Sequence, residues 1–220
     1  MILLDYSQIA LSNIIVQKLN DENMIRHMIL NSIRMYNKKY RNEYGQMVIC
    51  ADGMNTWRKE YFPLYKAHRK KNRAESDQDW PEIFRILNLV RDEIRENLPY
   101  KVIHLEGCEA DDIIGTLAMQ TQEFGQHEPV MIVSSDKDFI QLHKYNNVKQ
   151  YSPIQKKMVS DPNPRTYCFE HICKGDKGDG IPNILSPDNA IIDEIRQSPM
   201  TKKKIQHWAE NIDNLKGVMT

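Results

Sequence analysis

Three short runs of unbroken apolar residues end at an acid. Ile2-Leu3-Leu4 meets Asp5, Met47-Val48-Ile49-Cys50-Ala51 meets Asp52, and Val130-Met131-Ile132-Val133 passes through two serines to Asp136. Runs of that length, apolar at every position, predict strands buried on both faces. Between them the apolar period changes. Ile25, Met28, Ile29, Ile33 and Tyr36 recur at helical spacing, as do Trp80, Ile83, Phe84, Leu87, Val90 and Ile94, the second helix starting near Pro81 and stopped by Pro99. Val102 to Leu105 reads as a further strand, followed by a helix from near Glu109 to about Phe124, before Gly125. After Tyr151 the pattern weakens through Pro153, Pro162 and Pro164. A loop from Gly175 to Pro187 then lies between two short helical stretches.

Alternating strands and helices predict an α/β fold with a mostly parallel central sheet flanked by helices. In such a sheet ligands bind beyond the carboxyl ends of the strands. Asp5, Asp52 and Asp136 all fall there. The change of pattern divides the chain into a main body, 1–160, carrying a helical segment at about 57–80, and a helical region, 161–220.

Those three acids have company at other expected element ends. Glu109, Asp111 and Asp112 open a helix, Asp136 and Asp138 close a strand, and Asp176 and Asp179 stand in the glycine-rich loop. Each alone has an ordinary explanation, because acids at helix N-termini are favoured by capping and by the helix dipole, and an Asp after a strand is a common turn former. Nine together are harder to assign to turns. Magnesium takes hard oxygen ligands, so carboxylates converging on one sheet edge suit one or two such ions. Two ions about 3.5–4 Å apart are the arrangement that assists phosphodiester displacement.

The whole chain balances 30 basic against 30 acidic residues, so net charge says nothing of an anionic partner. Local charge does. From Trp57 to Arg73 stand Arg58, Lys59, Lys66, Arg69, Lys70, Lys71 and Arg73 against the single acid Glu60, a local charge of +6, with Trp57, Tyr61, Phe62 and Tyr65 interleaved. Cations beside aromatic faces attract phosphates and stack unpaired bases, although a charge run is more often a solvated face. Cys50, Cys108, Cys168 and Cys173 form no C-x-x-C pair and no zinc-finger spacing, which fits a reducing cytoplasm. The opening apolar stretch is too short for a signal peptide, and no run of 18 apolar residues follows, so a soluble protein away from membranes is expected.

The ordered motifs Asp5-Tyr6-Ser7-Gln8-Ile9-Ala10-Leu11-Ser12, Glu109-Ala110-Asp111-Asp112, Ser134-Ser135-Asp136-Lys137-Asp138-Phe139, Gln141-Leu142-His143-Lys144-Tyr145 and Lys174-Gly175-Asp176-Lys177-Gly178-Asp179 resemble the 5′-nucleases. That family includes flap endonucleases, the 5′-exonuclease domains of bacterial polymerases and phage enzymes of ribonuclease H type, and the likeness covers roughly residues 1 to 183. It implies a PIN-like catalytic domain followed by a helix-three-turn-helix-like duplex-binding region. By position, Asp5, Asp52, Glu109, Asp111 and Asp136, with Asp112 close by, would hold a first magnesium, and Asp138, Asp176 and Asp179 a second, Mn2+ substituting. Tyr65-Lys66-x-x-Arg69 matches the family's gateway helix: Lys66 and Arg69 would bind the scissile phosphate as catalytic residues, and Tyr65 would stack on a base, with Lys70, Lys71 and Arg73 on the nucleic acid too. The 175–183 loop, with Gly178 and Gly180, would grip duplex through backbone amides and a monovalent cation. Gly180 and Asn183 stand where the family usually carries Asn and Gly.

The resemblance implies 5′→3′ exonuclease and flap endonuclease activity on RNA–DNA hybrids and nicked or flapped DNA duplexes, removing RNA primers during phage replication in the host cytoplasm. A monomer is the default expectation, with single-stranded-DNA-binding protein and a sliding clamp as partners to look for. Two alternatives stand beside it. A PIN-type single-strand endoribonuclease shares the acid-ended sheet but lacks the gateway and the 175 loop. A non-catalytic nucleic-acid-binding replication module would carry nine carboxylates with nothing to neutralise them.

Overall fold

In the computed structural model, which describes residues 1–17, 21–125 and 127–211, the first strand β1 (Ile2–Asp5) runs straight into α1 (Tyr6–Gln17). There follow α2 (Glu22–Tyr44), β2 (Met47–Ala51), α3 (Arg58–Tyr61), α4 (His68–Ala74), α5 (Trp80–Asn97), β3 (Lys101–His104), α6 (Ala110–Gln120) and β4 (Val130–Val133). A hairpin of β5 (Val148–Ser152) and β6 (Lys157–Val159) precedes α7 (Pro164–Lys174) and α8 (Lys202–Glu210). The expected α/β fold with a mostly parallel sheet is what forms. Contacts group Met1–Trp57 with Asp79–Pro162 in one unit, and Arg58–Gln78 with Asn163–Thr220 in another. The basic segment, expected within the first body, thus shares its contacts with the C-terminal region, whose last residues, 212–220, lie outside the described part.

In the first unit six strands pair in the order β3-β2-β1-β4-β5-β6, parallel except for β6. Successive strand residues face opposite sides, and both sides are covered, so every position of β1 and β4 is apolar up to the acid or serine that ends it. Ile2 and Leu4 join one core with Ile25, Ile29 and Ile33 of α2 and Ile83, Val90 and Ile94 of α5. Leu3 joins the other, with Ile113, Ile114 and Ala118 of α6. Each fully buried isoleucine contributes about 1.5–3 kcal/mol.

The helices start and stop where their side chains dictate. Asp21 caps α2 by accepting from the amide of Met24 at 2.7 Å, and Gly45, at φ +78°, ends it. Asp79 caps α5 ahead of Pro81, and Asn163 caps α7 ahead of Pro164. The helix expected to reach about Phe124 closes at Gln120, where the Thr121 hydroxyl turns back onto the Ala118 carbonyl at 2.7 Å; a short 3-10 turn at Glu123–Gly125 follows.

The second unit holds α3, α4, α7 and α8 together with the loop after Gly175. That loop is folded on itself. Gly175 sits at φ +69°, where a Cβ would lie 2.3 Å from the Pro182 carbonyl oxygen, and Asp176 bridges to Ile181. Asn183 is 6% exposed, its Oδ1 accepting from Leu185 N and the Ser186 hydroxyl while its Nδ2 donates to Ser198 O. Asn183 therefore has a structural task, which is to fix the chain between 183 and 198.

Candidate active site

Strand order reverses between β1 and β4, and at that switch point the first unit gathers its acids. Asp5 ends β1, Asp52 follows β2, Asp136 follows β4, and Glu109 precedes α6 as its N-cap. Asp5 is 7% exposed; its Oδ1 accepts from Gln8 N at 3.1 Å and its Oδ2 from the Ser134 hydroxyl at 2.9 Å. Burial, reinforced by the nearby Asp52 and Asp136 carboxylates, pushes its carboxyl up to about 7 against the pull of those two hydrogen bonds. Asp52 and Asp136 thus each oppose the charge of Asp5, and none of the three has a cationic side-chain partner among the described residues.

Backbone amides orient several of the acids around Asp5. Asp52 Oδ1 accepts from Ala110 N at 2.8 Å, reaching across 58 positions to cap α6. Glu109 and Asp112 form a reciprocal capping box, with Asp112 Oδ2 accepting from Glu109 N at 2.8 Å; Asp111 stands beside them in the first turn. Asp136 Oδ1 accepts from Asp138 N at 2.9 Å, and Asp138 opens a 3-10 turn. These contacts use one oxygen of Asp52, Asp112 and Asp136. The donor set is all oxygen, which fits a hard divalent cation.

Two polar residues that the sequence did not single out as site residues hold this edge in place. Gln150, fully buried on β5, donates from Nε2 to Ser134 O at 2.9 Å and to Asp136 O at 2.6 Å, while His143 lies 3.1 Å from its Oε1. Ser134, also fully buried, links Asp5 to the amide of Asp136. Alternation in Val148-Lys149-Gln150-Tyr151-Ser152 was the available signal, but a glutamine and a serine at the inward positions disguise it.

The other candidates meet in the second unit. Tyr65 is 3% exposed, with its hydroxyl donating to Asp179 Oδ2 at 2.9 Å. Arg69 donates to Asp179 Oδ1 at 2.6 Å and to Gly178 O at 3.0 Å, and Lys66 Nζ lies 3.8 Å from the same Asp179 oxygen. Lys66 holds φ +55°, and its amide donates to Asp179 O at 2.7 Å. Gly180, at φ +77°, lies so close to α4 that a Cβ would come 2.9 Å from His68 Nδ1. Asp176 Oδ1 accepts from Gly178 N at 2.6 Å, and its Oδ2 is 3.4 Å from His171 Nε2. Lys71 pairs with Glu194 at 2.8 Å, whereas Lys70 has no acidic partner among the described residues. Arg73 ends the basic run inside α4. In this arrangement the ring expected to stack on a base is covered, whereas Tyr61, 82% exposed, and Trp57, 44% exposed, are open aromatics of the segment.

A family model described as the 5'-3' exonuclease N-terminal resolvase-like domain matches residues 5–168. Ribonuclease H of Enterobacteria phage T4 is 40% identical over 191 residues, covering 83% of this chain and 62% of that protein. A 5'-3' exonuclease of Buchnera aphidicola (strain APS) is 30% identical over 155 residues, covering 67% of this chain and 50% of that one. Among solved structures, the T5 5'-exonuclease with bound zinc matches with a TM-score of 0.69 at 17% identity, over 98% of this chain and 86% of that chain. At that identity the likeness shows the fold. The chain spans less than two thirds of the length of these curated relatives. With the match to the family model running through most of its length, the chain belongs to the 5'-3' exonuclease family, in the part formed by the N-terminal resolvase-like domain.

Proposed function

We propose that this protein is a magnesium-dependent 5′-nuclease, manganese substituting, that hydrolyses phosphodiesters at the 5′ end of a strand annealed to duplex, on RNA–DNA hybrids and on nicked or flapped DNA. The observation that carries the reading is the buried Asp5 facing Asp52 and Asp136 at the point where strand order reverses. A relative named ribonuclease H supports the RNA–DNA substrate, and a neighbour of the same fold solved as a flap endonuclease with DNA and metal ions supports the flap. Removal of RNA primers in a phage-infected cell is the role this activity would serve, by a monomer working beside single-stranded-DNA-binding protein and a clamp.

Asp5, Asp52, Glu109, Asp111 and Asp136 are assigned to one divalent ion, with Asp112 beside them; Asp138, Asp176 and Asp179 are assigned to the second. Bound ions of this kind activate water and stabilise the entering and leaving oxygens of the displacement. The protein's own part is positional and electrostatic. Gln8 N and Ser134 hold the Asp5 carboxylate in one orientation, and Gln150 fixes the segment carrying Asp136. Lys66 and Arg69 bind the scissile phosphate and offset its developing charge, Tyr65, whose ring is covered, braces them through Asp179, and Lys70, Lys71 and Arg73 meet the backbone. The amides around Gly178 and Gly180, with a monovalent cation, grip the duplex.

The test is digestion of a 5′-labelled RNA–DNA hybrid, a flap duplex and a single-stranded RNA in magnesium, with Asp136→Asn alongside. Short 5′ products from the annealed substrates, lost in EDTA and in the variant, are expected. Cleavage of the single-stranded RNA alone would replace this reading with a PIN-type endoribonuclease, and binding without cleavage with a non-catalytic module.

A further inference from the structure

Asp179 is tied to the three gateway side chains assigned to the nucleic acid. One carboxylate receives the Arg69 guanidinium at 2.6 Å and the Tyr65 hydroxyl at 2.9 Å, with the Lys66 ammonium 3.8 Å away. Backbone contacts hold it there: Lys66 N donates to Asp179 O, and Arg69 Nε to Gly178 O. Two anionic oxygens facing a guanidinium fork, an ammonium and a hydroxyl make the set of contacts that the non-bridging oxygens of a phosphodiester would make. The cations are not sealed away, since the side chains of Lys66 and Arg69 are 21% and 39% exposed.

We propose that Asp179 is an internal stand-in for the substrate phosphate: it occupies Lys66 and Arg69 while no nucleic acid is bound, and the arriving phosphodiester displaces it. This rests on the reading that Lys66 and Arg69 bind the scissile phosphate. Asp179 therefore does two things. It keeps both cations and the Tyr65 ring preset in a phosphate-binding geometry, and it lowers the apparent affinity for every phosphate, since each must displace it and the competent form is only part of the population. A strand end held by the rest of its duplex overcomes that competition, whereas a passing single strand does not.

Binding in EDTA tests this, because the role of Asp179 toward divalent ions is then out of play. Fluorescence anisotropy of a 5′-phosphorylated nicked duplex is measured with the wild type, Asp179→Asn, Arg69→Ala, the double variant and Asp188→Asn. Removing a partly exposed competitor of this kind should tighten binding about threefold to tenfold in Asp179→Asn. Asp188 is an exposed acid of the same unit with no side-chain partner among the described residues, and its neutral variant should change binding by less than about twofold, as a lone surface charge does. The gain should vanish when Arg69 is already alanine. Unchanged or weaker binding by Asp179→Asn, an equal gain in Asp188→Asn, or a gain that survives Arg69→Ala overturns the proposal, while magnesium-dependent cleavage by the wild type still stands or falls separately. In the wild type, the Arg69 Nε–H resonance should move when the nicked duplex is added in EDTA. A fixed resonance beside shifting amides in residues 68–74 overturns the displacement without recourse to any variant.

Discussion

The two groups of candidate carboxylates in this chain are held in opposite ways. At the ends of β1, β2 and β4, Asp5, Asp52 and Asp136 are held by amides and a hydroxyl, which orient an anion without cancelling it. In the second unit Asp179 is met by Arg69 and Lys66 directly. A carboxylate held by neutral dipoles keeps its charge available for a cation, and the cost appears as the raised carboxyl of Asp5. One met by basic side chains settles its own charge and leaves those side chains poised. Local wiring, not the balanced total, decides which acids hold an uncompensated charge.

The sharpest way to break this contrast is Asp5→Asn. Cleavage should fall about a thousandfold or more. In EDTA at pH 8 the same variant should melt later, stabilised by about 1–3 kcal/mol, because it removes a buried charge that two neighbouring carboxylates oppose. A variant both inactive and less stable without metal would show that Asp5 is not the strained member of the group.

Gln150→Ala is next in size. It strips the carbonyls of Ser134 and Asp136 of their buried donor, at a stability loss of about 1–3 kcal/mol, seen in urea melts. Loosening the segment that carries Asp136 should also raise the magnesium concentration for half-maximal cleavage about tenfold to a hundredfold. If stability falls and the magnesium requirement stays put, Gln150 serves the fold alone.

The smallest effect concerns His143, which faces Gln150 and is pushed below its ordinary pKa mainly by burial, with Gln150 and Asp161 pulling the other way. The unfolded chain then binds the proton more readily, so native stability is full above about pH 6.5 and is lost as the pH falls through the folded value. His143→Gln should flatten that decline by less than about 1 kcal/mol between pH 7.5 and 5.5, since the ring is only half-buried. An unchanged slope in thermal melts would exonerate the ring.

What could be read in the sequence follows the chemistry of each segment. β1, β2 and β4 were legible because a strand buried on both faces is apolar at every position, and the acids that end them were legible with them. β5 was not, since its inward positions are Gln150 and Ser152, polar groups whose partners lie on another strand's loop. Tyr65 and its neighbouring cations were visible as a basic aromatic segment. Its partner Asp179 stands 114 positions away, a pairing that no local pattern encodes, and so the covering of the ring was invisible as well.

The bond from Ala110 N to Asp52 has an evolutionary side. Because that carboxylate also terminates a helix, a descendant copy released from catalysis would still be selected to keep it, while Asp136, whose recorded side-chain bond reaches only the amide two residues on, could drift. An acid at position 52 is for that reason a poor witness to activity in a related gene, and an acid at position 136 is a better one.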